Sequence, residues 1–157
     1  MIVMTPEKAK SICDVFYLAL VTWREARGAS YEAKVAVAFS VMNRVTRPSW
    51  WGHTLGEVVT KKWQYSSIGA PNDPQLLIWP LLSDSSWMEC LDIAACVILG
   101  QLANPMPGAD SYYDSSISAP KWAMSDFYVG QISSPHGNAL RFYDVDQDYE
   151  KLLTGHA

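Results

Sequence analysis

The sequence lacks an excess of basic residues: 12 Lys and Arg stand against 16 Asp and Glu among 157 residues, a formal net charge of −4. Proteins dedicated to nucleic-acid binding are normally basic, so this balance argues against nucleic acid as a partner. Charged residues make up only 18% of the chain and apolar residues 49%. That composition is typical of a globular protein and excludes a disordered chain.

Cysteine and histidine are also scarce. The cysteines are Cys13, Cys90 and Cys96, and the histidines are His53, His136 and His156. No Cys-x-x-Cys motif occurs, so no disulfide framework is predicted. The histidines are too far apart in the sequence for the spacing of a zinc site, and we predict neither a metal nor another cofactor. All three cysteines fall in predicted helices, where a buried inert thiol is commoner than a nucleophile.

A secretory leader and a long apolar run are both missing from the first thirty residues. The apolar run over residues 15–21 is short, and Arg24 and Glu25 follow it directly. A signal peptide would begin basic and end in small residues, and a membrane-spanning helix needs about 20 apolar residues. We therefore expect no signal peptide and no stable membrane insertion.

Capping residues and apolar periodicity predict two long helices at the start of the chain. Thr5 is a suitable N-cap, Pro6 suits the first helical position, and the first helix is expected to end near Arg27. Ser30 is a suitable N-cap for a second helix that continues to Arg44. The apolar residues of the first helix lie on both of its sides, which predicts a central, buried helix.

Beyond the two long helices, the sequence predicts shorter helices, loops and a hairpin. Capping boxes at residues 54–57 and 86–89 each indicate the start of a helix. Residues 62–86 and 107–120 are predicted as loops, and residues 127–145 as a hairpin or extended arms. We predict a single domain over residues 1–157, mainly α in an α+β arrangement, with long loops and at most a small hairpin.

Glu25 is the candidate catalytic group. It follows Leu18 and Val21 on one face of the first helix, one and two turns later. A carboxylate near apolar surface is disfavoured in its charged form, which suits a general acid. The alternative is an ion pair with Arg24 or Arg27 on a solvated helix end, as most such glutamates are solvated.

Aromatic residues are frequent, with seven Trp and eight Tyr. In residues 63–68 they alternate with amides and hydroxyls, a pattern that suits a sugar, whose ring stacks on an aromatic face while its hydroxyls form hydrogen bonds. The pairs Tyr112-Tyr113 and Lys121-Trp122 repeat this pattern. The alternative is that these rings are buried and hold the loops in place.

Glycoside cleavage commonly uses a second carboxylate. The candidates in predicted loops are Asp73, Asp84, Asp110, Asp114 and Asp126. Nothing in the local sequence selects one of them.

Several short motifs follow one another along the chain: Glu25 to Gly28, Asn43 to Val45, Gln64 to Ser66, Gly108 to Tyr113, Pro120 to Trp122, and Arg141 to Tyr143. With these motifs in the same order, the chain resembles, over residues 17–143, the cell wall hydrolase family typified by the spore cortex-lytic enzymes. Each motif alone is weak, but their common order is fairly specific.

The resemblance implies a lysozyme-like domain that cleaves peptidoglycan between N-acetylmuramic acid and N-acetylglucosamine, as a muramidase or a lytic transglycosylase. It implies that Glu25 is the catalytic acid. Lytic transglycosylases need no second catalytic carboxylate. The residues expected to contact the sugar are Gln64, Tyr65, Ser66, Asn43, Tyr112, Tyr113 and Trp122.

The chain departs from the family at two places. Gly28-Ala29 stands where the family commonly has Gly-Glu, and an insertion around His136 leaves the role of that residue open. The size of 17.5 kDa and the missing leader predict a monomeric phage endolysin, and a bacterial wall-remodelling enzyme whose leader had been removed would show the same features. Such an endolysin stays in the host cytoplasm until a holin releases it to the periplasm. The alternatives are a non-catalytic peptidoglycan-binding module and a stem-peptide amidase.

Overall fold

The computed structural model describes residues 5–62, 64–134 and 137–146. These residues form five α-helices and one three-stranded antiparallel sheet, which confirms the predicted mainly α, α+β fold. Within the same residues, no helix has the length and apolar character that crossing a membrane would require.

The two long helices begin where their caps predict. Helix α1 spans Pro6–Ala26 and helix α2 spans Tyr31–Thr46. The hydroxyls of Thr5 and Ser30 each accept a hydrogen bond from the backbone N–H three residues further on, at 3.3 and 3.2 Å. Each cap satisfies an N–H group that has no partner within its helix.

The middle of the chain holds three short turns of helix. Helix α3 spans Leu55–Thr60, and both reciprocal hydrogen bonds of its predicted capping box, between Thr54 and Glu57, are present. The stretch predicted as irregular contains helix α4, Ser66–Gly69, and the 3₁₀ turn Pro74–Leu77. These turns fold part of the long loop back against α1.

Helix α5 spans Ser85–Ile98, and the capping box predicted at residues 86–89 is wrong. Asp84 is the N-cap, and its carboxylate accepts from two backbone N–H groups of the first turn at 2.9 and 3.2 Å. It also accepts from the indole of Trp23 at 2.8 Å. The hydroxyl of Ser86 instead donates to a backbone carbonyl at the end of α1. The contact from Trp23 therefore favours Asp84 as the cap.

Helix α1 is buried on both sides only in its second half. Residues 18–24 are buried, whereas Ile12 is 57% exposed and Phe16 is also exposed. Cys13 is exposed as well, which differs from the expected buried thiol. Cys90 in α5 is buried, and its burial raises the pKa of the thiol to about 11. The thiol of Cys90 is thus protonated and unreactive at neutral pH.

The sheet is formed by β1 (Ser111–Asp114), β2 (Tyr128–Ser133) and β3 (Ala139–Tyr143), in the spatial order β1-β3-β2. Strands β2 and β3 form the predicted hairpin, in antiparallel register. His136, whose role the sequence left open, lies outside the described residues.

Strand β1 corrects the prediction of a loop over residues 107–120. Tyr112 lies opposite Phe142 of β3 in an antiparallel pair, and their ring centroids are 5.6 Å apart. The strand forms through pairing with residues about thirty positions away, which no local pattern reveals.

Two cores position the sheet beside the helices. The larger core lies between α1, α2, α3 and α5 and includes Leu18, Val21, Val41, Val58 and Ile93. A second cluster joins the end of α1 to α2 and the sheet through Ala26, Val37 and Phe142. This second cluster brings β1 next to the last turn of α1, where Glu25 lies.

Candidate active site

Glu25 lies in the last turn of α1 and receives a hydrogen bond at each carboxylate oxygen. The hydroxyl of Ser67 donates to Oε1 at 2.7 Å, and the phenol of Tyr112 donates to Oε2 at 3.0 Å. A carboxylate oxygen can accept two hydrogen bonds. The two donors therefore fix the orientation of the group and leave acceptor positions on it for a ligand.

The surroundings of Glu25 match neither the expected apolar environment nor the expected ion pair with a neighbouring arginine. Its side chain is exposed, not desolvated against apolar residues. Among the described residues it forms no ion pair with either neighbouring arginine. Arg24 is buried and bonds to backbone carbonyls, while Arg27 donates to the side chain of Gln75 at 2.8 Å. The carboxylate of Glu25 is thus accessible to solvent.

Arg24 holds the segment that carries Ser67. Its Nη1 donates to the backbone carbonyl of Ser67 at 2.6 Å, and its Nη2 donates to that of Ile78 at 3.2 Å. Ser67 itself is only 1% exposed. Because charged donors form the stronger hydrogen bonds, Arg24 fixes α4 against the end of α1 and positions the Ser67 hydroxyl.

Tyr112 keeps its proton beside the carboxylate. Its pKa is raised well above the ordinary value, first by burial of the hydroxyl and next by the negative charge of Glu25. Both effects disfavour the phenolate. Tyr112 is therefore a hydrogen-bond donor to Glu25 at any pH near neutrality.

A cleft of about 590 Å³ opens beside Glu25. Such a volume is in the range of small-ligand sites. Its lining combines aromatic rings with polar and charged groups: Glu25, Arg44, Trp50, Gln64, Tyr65, Asp110, Ser111, Tyr112, Lys121, Trp122, Val145 and Asp146. Flat rings beside hydrogen-bonding groups are the surfaces that sugars require.

A second cavity of about 330 Å³ shares Glu25 and Tyr112 with the cleft. Its other walls come from the turn between α1 and α2, from Asp114 of β1, and from β2 and β3. Glu25 therefore lies where two concave surfaces meet. A long polymer could occupy both of them with one bond next to the carboxylate.

The other carboxylates of the cleft are already engaged. Asp110 is 1% exposed and accepts from Ser111 Oγ and from the backbone N–H groups of Val145 and Asp146 at 2.9 to 3.1 Å. Asp146 lies 3.8 Å from the guanidinium of Arg44. Asp110 therefore serves the structure of the cleft wall.

The remaining aspartates considered as partners have local roles. Asp73 caps the 3₁₀ turn, Asp84 caps α5, and Asp114 accepts from the N–H of Ser116 at 2.7 Å. Asp126 is exposed and hydrogen-bonds to the hydroxyl of Ser125, its neighbour. None of the five aspartates lies within hydrogen-bonding distance of Glu25 among the described contacts.

Tyr65 presents an unpaired hydroxyl in the cleft. The residue is 3% exposed, and its hydroxyl has no hydrogen-bond partner among the described residues. Burial, ahead of all other causes, raises the pKa of the phenol. The guanidinium of Arg44 lies 5.5 Å from the centre of the ring, and Arg44 also donates to the side chain of Gln64. The phenol of Tyr65 therefore stays protonated, and its hydroxyl is enclosed in the cleft wall.

The structure brings four of the predicted sugar contacts, Gln64, Tyr65, Tyr112 and Trp122, into one cleft with Glu25. Ser66 is exposed at the start of α4 and is absent from the cleft lining. Trp63, next to this group in the sequence, lies outside the described residues. Ser67 is not among the predicted sugar contacts, although it belongs to residues 63–68, whose pattern suits a sugar.

Two other predicted contacts lie away from the cleft. The side-chain amide of Asn43 is buried and donates to the backbone carbonyls of Met106 and Ala109 at 3.1 and 2.7 Å. Tyr113 is buried, with its ring centroid 6.0 Å from that of Trp122 and 6.0 Å from that of Tyr143. Both residues support the cleft from behind.

Comparison with known proteins gives one family. The model of the cell wall hydrolase family matches residues 28–136, about two thirds of the chain. No curated protein and no solved structure matches. The matched segment includes Ser67 and Tyr112 and begins three residues after Glu25.

Proposed function

Because the chain belongs to the cell wall hydrolase family, we propose that it cleaves the glycan strand of peptidoglycan between N-acetylmuramic acid and N-acetylglucosamine, with Glu25 as the general acid. The family supports peptidoglycan as the substrate. The site supports the choice of bond, since it presents aromatic faces and hydrogen-bonding groups, which suit sugar rings.

The observation that carries this proposal is the position of Glu25. Its carboxylate lies where the cleft and the second cavity meet, and Ser67 and Tyr112 fix it through one hydrogen bond to each oxygen. A general acid must reach one glycosidic oxygen while sugars extend on both sides of that oxygen. This arrangement meets both requirements.

The proposed reaction uses Glu25 first as an acid and then as a base. Protonated Glu25 gives its proton to the glycosidic oxygen as the bond from the anomeric carbon of muramic acid breaks. The 6-hydroxyl of the same muramyl residue then attacks that carbon and passes its proton to the Glu25 carboxylate. The products are a 1,6-anhydromuramyl end and a free 4-hydroxyl on N-acetylglucosamine, and Glu25 is again protonated.

The environment of the cleft's other carboxylates supports a single acid, and Asp114, which lines the second cavity, accepts from the N–H of Ser116 and forms no described contact with Glu25. Asp110 is buried under three hydrogen bonds, and Asp146 lies beside Arg44. A retaining or inverting hydrolase would need a second carboxylate near the anomeric carbon or the attacking water. Attack by the muramyl 6-hydroxyl needs no such group.

The test is mass spectrometry of the soluble products released from Gram-negative sacculi. Anhydromuramyl ends are the expected result. Reducing muramic ends would show that the enzyme hydrolyses the bond and is not a transglycosylase. Cleaved stem peptides with intact glycan would overturn the proposal in favour of an amidase. Binding to sacculi without release of any product would indicate a non-catalytic module.

The matched variants are Glu25→Gln and Glu32→Gln. Removing a general acid lowers the rate by about 10²- to 10⁴-fold, so we expect that loss for Glu25→Gln, with the circular dichroism spectrum unchanged. Glu32 is an exposed glutamate in the first turn of α2, outside both cavities, and its variant should keep full activity. Equal activity of the two variants would remove Glu25 from the mechanism.

We further propose that the enzyme acts in phage-induced host lysis, the setting that the sequence predicts. Expression in the cytoplasm of a Gram-negative host should be tolerated, and co-expression of a holin should cause lysis. Failure of the wild type to lyse the host with the holin present would contradict this role, and Glu25→Gln should not cause lysis under the same conditions.

A further inference from the structure

A third cavity, of about 450 Å³, adjoins the cleft. Its volume is in the range of small-ligand sites. We call this cavity the lysine pocket, and its wall includes Trp50, Trp51, His53, Glu57, Lys61 and Lys62. Trp50 lines both the lysine pocket and the cleft, so the two cavities meet at its side chain. A substituent of a polymer bound in the cleft can therefore reach the lysine pocket.

A tight turn holds Trp50 between the two cavities. The backbone N–H of Gly52 donates to the carbonyl of Ser49 at 3.0 Å, and Gly52 has a φ of +123°, which glycine adopts more readily than other residues. Trp51 is fully buried, and its indole donates to the backbone carbonyl of Arg44 at 2.8 Å. The ring of Trp50 lies against it, with the centroids 5.8 Å apart, and is 42% exposed. Trp50 is thus both positioned and accessible.

The backbone also joins the lysine pocket to the cleft. Gln64 lines the cleft, and its N–H donates to the backbone carbonyl of Lys61 at 3.1 Å, so one turn carries both residues. Lys61 directly follows helix α3, and its side chain is exposed. Among the described residues, its ammonium group forms neither a hydrogen bond nor an ion pair. This cation is therefore available to a ligand that extends from the cleft.

The wall of the lysine pocket has more positive than negative charge. Lys61 and Lys62 stand against the carboxylate of Glu57, in a chain whose formal charge is −4. Glu57 lies in the first turn of α3, and its Oε2 accepts from the backbone N–H groups of His53 and Thr54 at 2.7 and 3.0 Å. These hydrogen bonds lower the pKa of Glu57 and hold its carboxylate at the end of α3 opposite to Lys61.

We propose that the lysine pocket binds free carboxylates of the stem peptide, with Lys61 as their cationic contact. This inference rests on the proposed function, in which the glycan strand occupies the cleft. The strand itself is uncharged where it carries peptides, because each lactyl carboxyl is then in an amide bond. The free carboxylates belong to the stem peptide, so the peptide is the part of the substrate that pairs with an ammonium group.

The charge of the lysine pocket distinguishes a peptide from a further sugar. A neutral sugar would gain from the face of Trp50 but would leave the charge of Lys61 unused. The protein as a whole is acidic, so it repels an acidic peptide except where cations are concentrated. The lysine pocket therefore favours strands that carry acidic peptides.

The test compares two synthetic tetrasaccharides of the strand, one with free carboxyls on its stem peptides and one with all of these carboxyls as amides. Titration calorimetry with Glu25→Gln measures binding without turnover. At low salt we expect the acidic tetrasaccharide to bind about fivefold more tightly, which is the upper range for an exposed ion pair, and less so at high salt. Adding Lys61→Glu should abolish this preference, and adding Lys61→Arg should keep it.

Lys8→Glu is the matched control, because it makes the same change of net charge at an exposed lysine outside the cleft and the lysine pocket. It should keep the preference, and circular dichroism checks the fold of each variant. Equal affinities of Glu25→Gln for the two tetrasaccharides would overturn the proposal.

A loss of affinity in Lys61→Glu that is equal for both tetrasaccharides would also overturn the proposal and would assign the lysine pocket to a sugar. Release of products from sacculi by the wild type is measured separately. Equal affinities together with anhydromuramyl products would remove this inference and leave the proposed cleavage in place.

Discussion

At the scale of the residue, Ser67 and Tyr112 each donate to a different oxygen of Glu25, so each holds the carboxylate separately. Ser67 is buried and held from behind by Arg24, while Tyr112 belongs to a strand and borders both cavities. The two donors come from opposite sides of the site. Loss of one leaves the other in place and frees the carboxylate to rotate.

Tyr112→Phe should reduce turnover while the ring stays in place. The ring lies against Phe142, which the variant does not change. The hydroxyl bonds to the carboxylate that forms as Glu25 gives up its proton, and hydrogen bonds to charged groups contribute about 1.5–3 kcal/mol, which corresponds to about a 10- to 100-fold lower kcat. Steady-state kinetics on soluble glycan fragments should show this with KM little changed. Tyr128→Phe, at an exposed tyrosine of β2, is the control, and an equal effect of both variants would contradict a specific role.

Tyr65→Phe should stabilise the fold. Its hydroxyl is buried without a partner among the described residues, and such a group costs free energy. Its removal should raise the free energy of unfolding by about 1 kcal/mol, measured by urea denaturation. A loss of stability instead would show that the hydroxyl is already satisfied.

At the scale of the element, Asn43 joins helix α2 to the loop that leads into β1. Its amide pairs two buried carbonyls, those of Met106 and Ala109. Asn43→Ala should lower the free energy of unfolding by about 2–3 kcal/mol, since both carbonyls lose their partner. Urea denaturation measures this, with the exposed Asn72→Ala as control. Unchanged stability with a raised KM would instead support the substrate contact predicted from the sequence.

The caps show which parts of the fold the sequence could predict. The N-caps Thr5, Ser30 and Thr54 depend on residues within four positions, so local patterns locate them. The cap of α5 could not be chosen in this way, because Asp84 and Ser86 are both suitable residues. The hydrogen bond from Trp23, 61 positions away, accompanies the observed choice of Asp84.

The site also combines residues that local patterns indicate with long-range contacts that they do not. Glu25 and Tyr112 could be proposed as site residues from their residue types and motifs, but the bond between them spans 87 positions. Ser66 and Ser67 are the same residue type, so the local sequence does not show which hydroxyl faces Glu25. In the fold it is Ser67, whose backbone carbonyl accepts from Arg24. Strand β1 was predicted as a loop because its partner strand lies far along the chain. Long-range pairing, which local patterns do not encode, assembles the cleft.

At the scale of the whole molecule, the site exists only when helices and sheet are both folded. Glu25 comes from α1, Ser67 from α4 and Tyr112 from β1, and the cluster around Phe142 joins the last strand to α1 and α2. Activity and global stability should therefore be lost together. Two phenols of the site, those of Tyr65 and Tyr112, make this shared stability dependent on pH.

Stability should fall as the pH rises above about 10. Burial raises the pKa of both Tyr65 and Tyr112 in the folded protein, above the value near 10 of an unfolded chain. Between these values the unfolded chain releases protons that the folded protein keeps, so the contribution is fully present below pH 10 and is lost above it. The free energy of unfolding at pH 9, 10 and 11 should therefore decrease for the wild type, and less steeply for Tyr65→Phe combined with Tyr112→Phe. Tyr31→Phe, at an exposed residue, should follow the wild type, and equal slopes for all three proteins would show that neither buried phenol carries the effect.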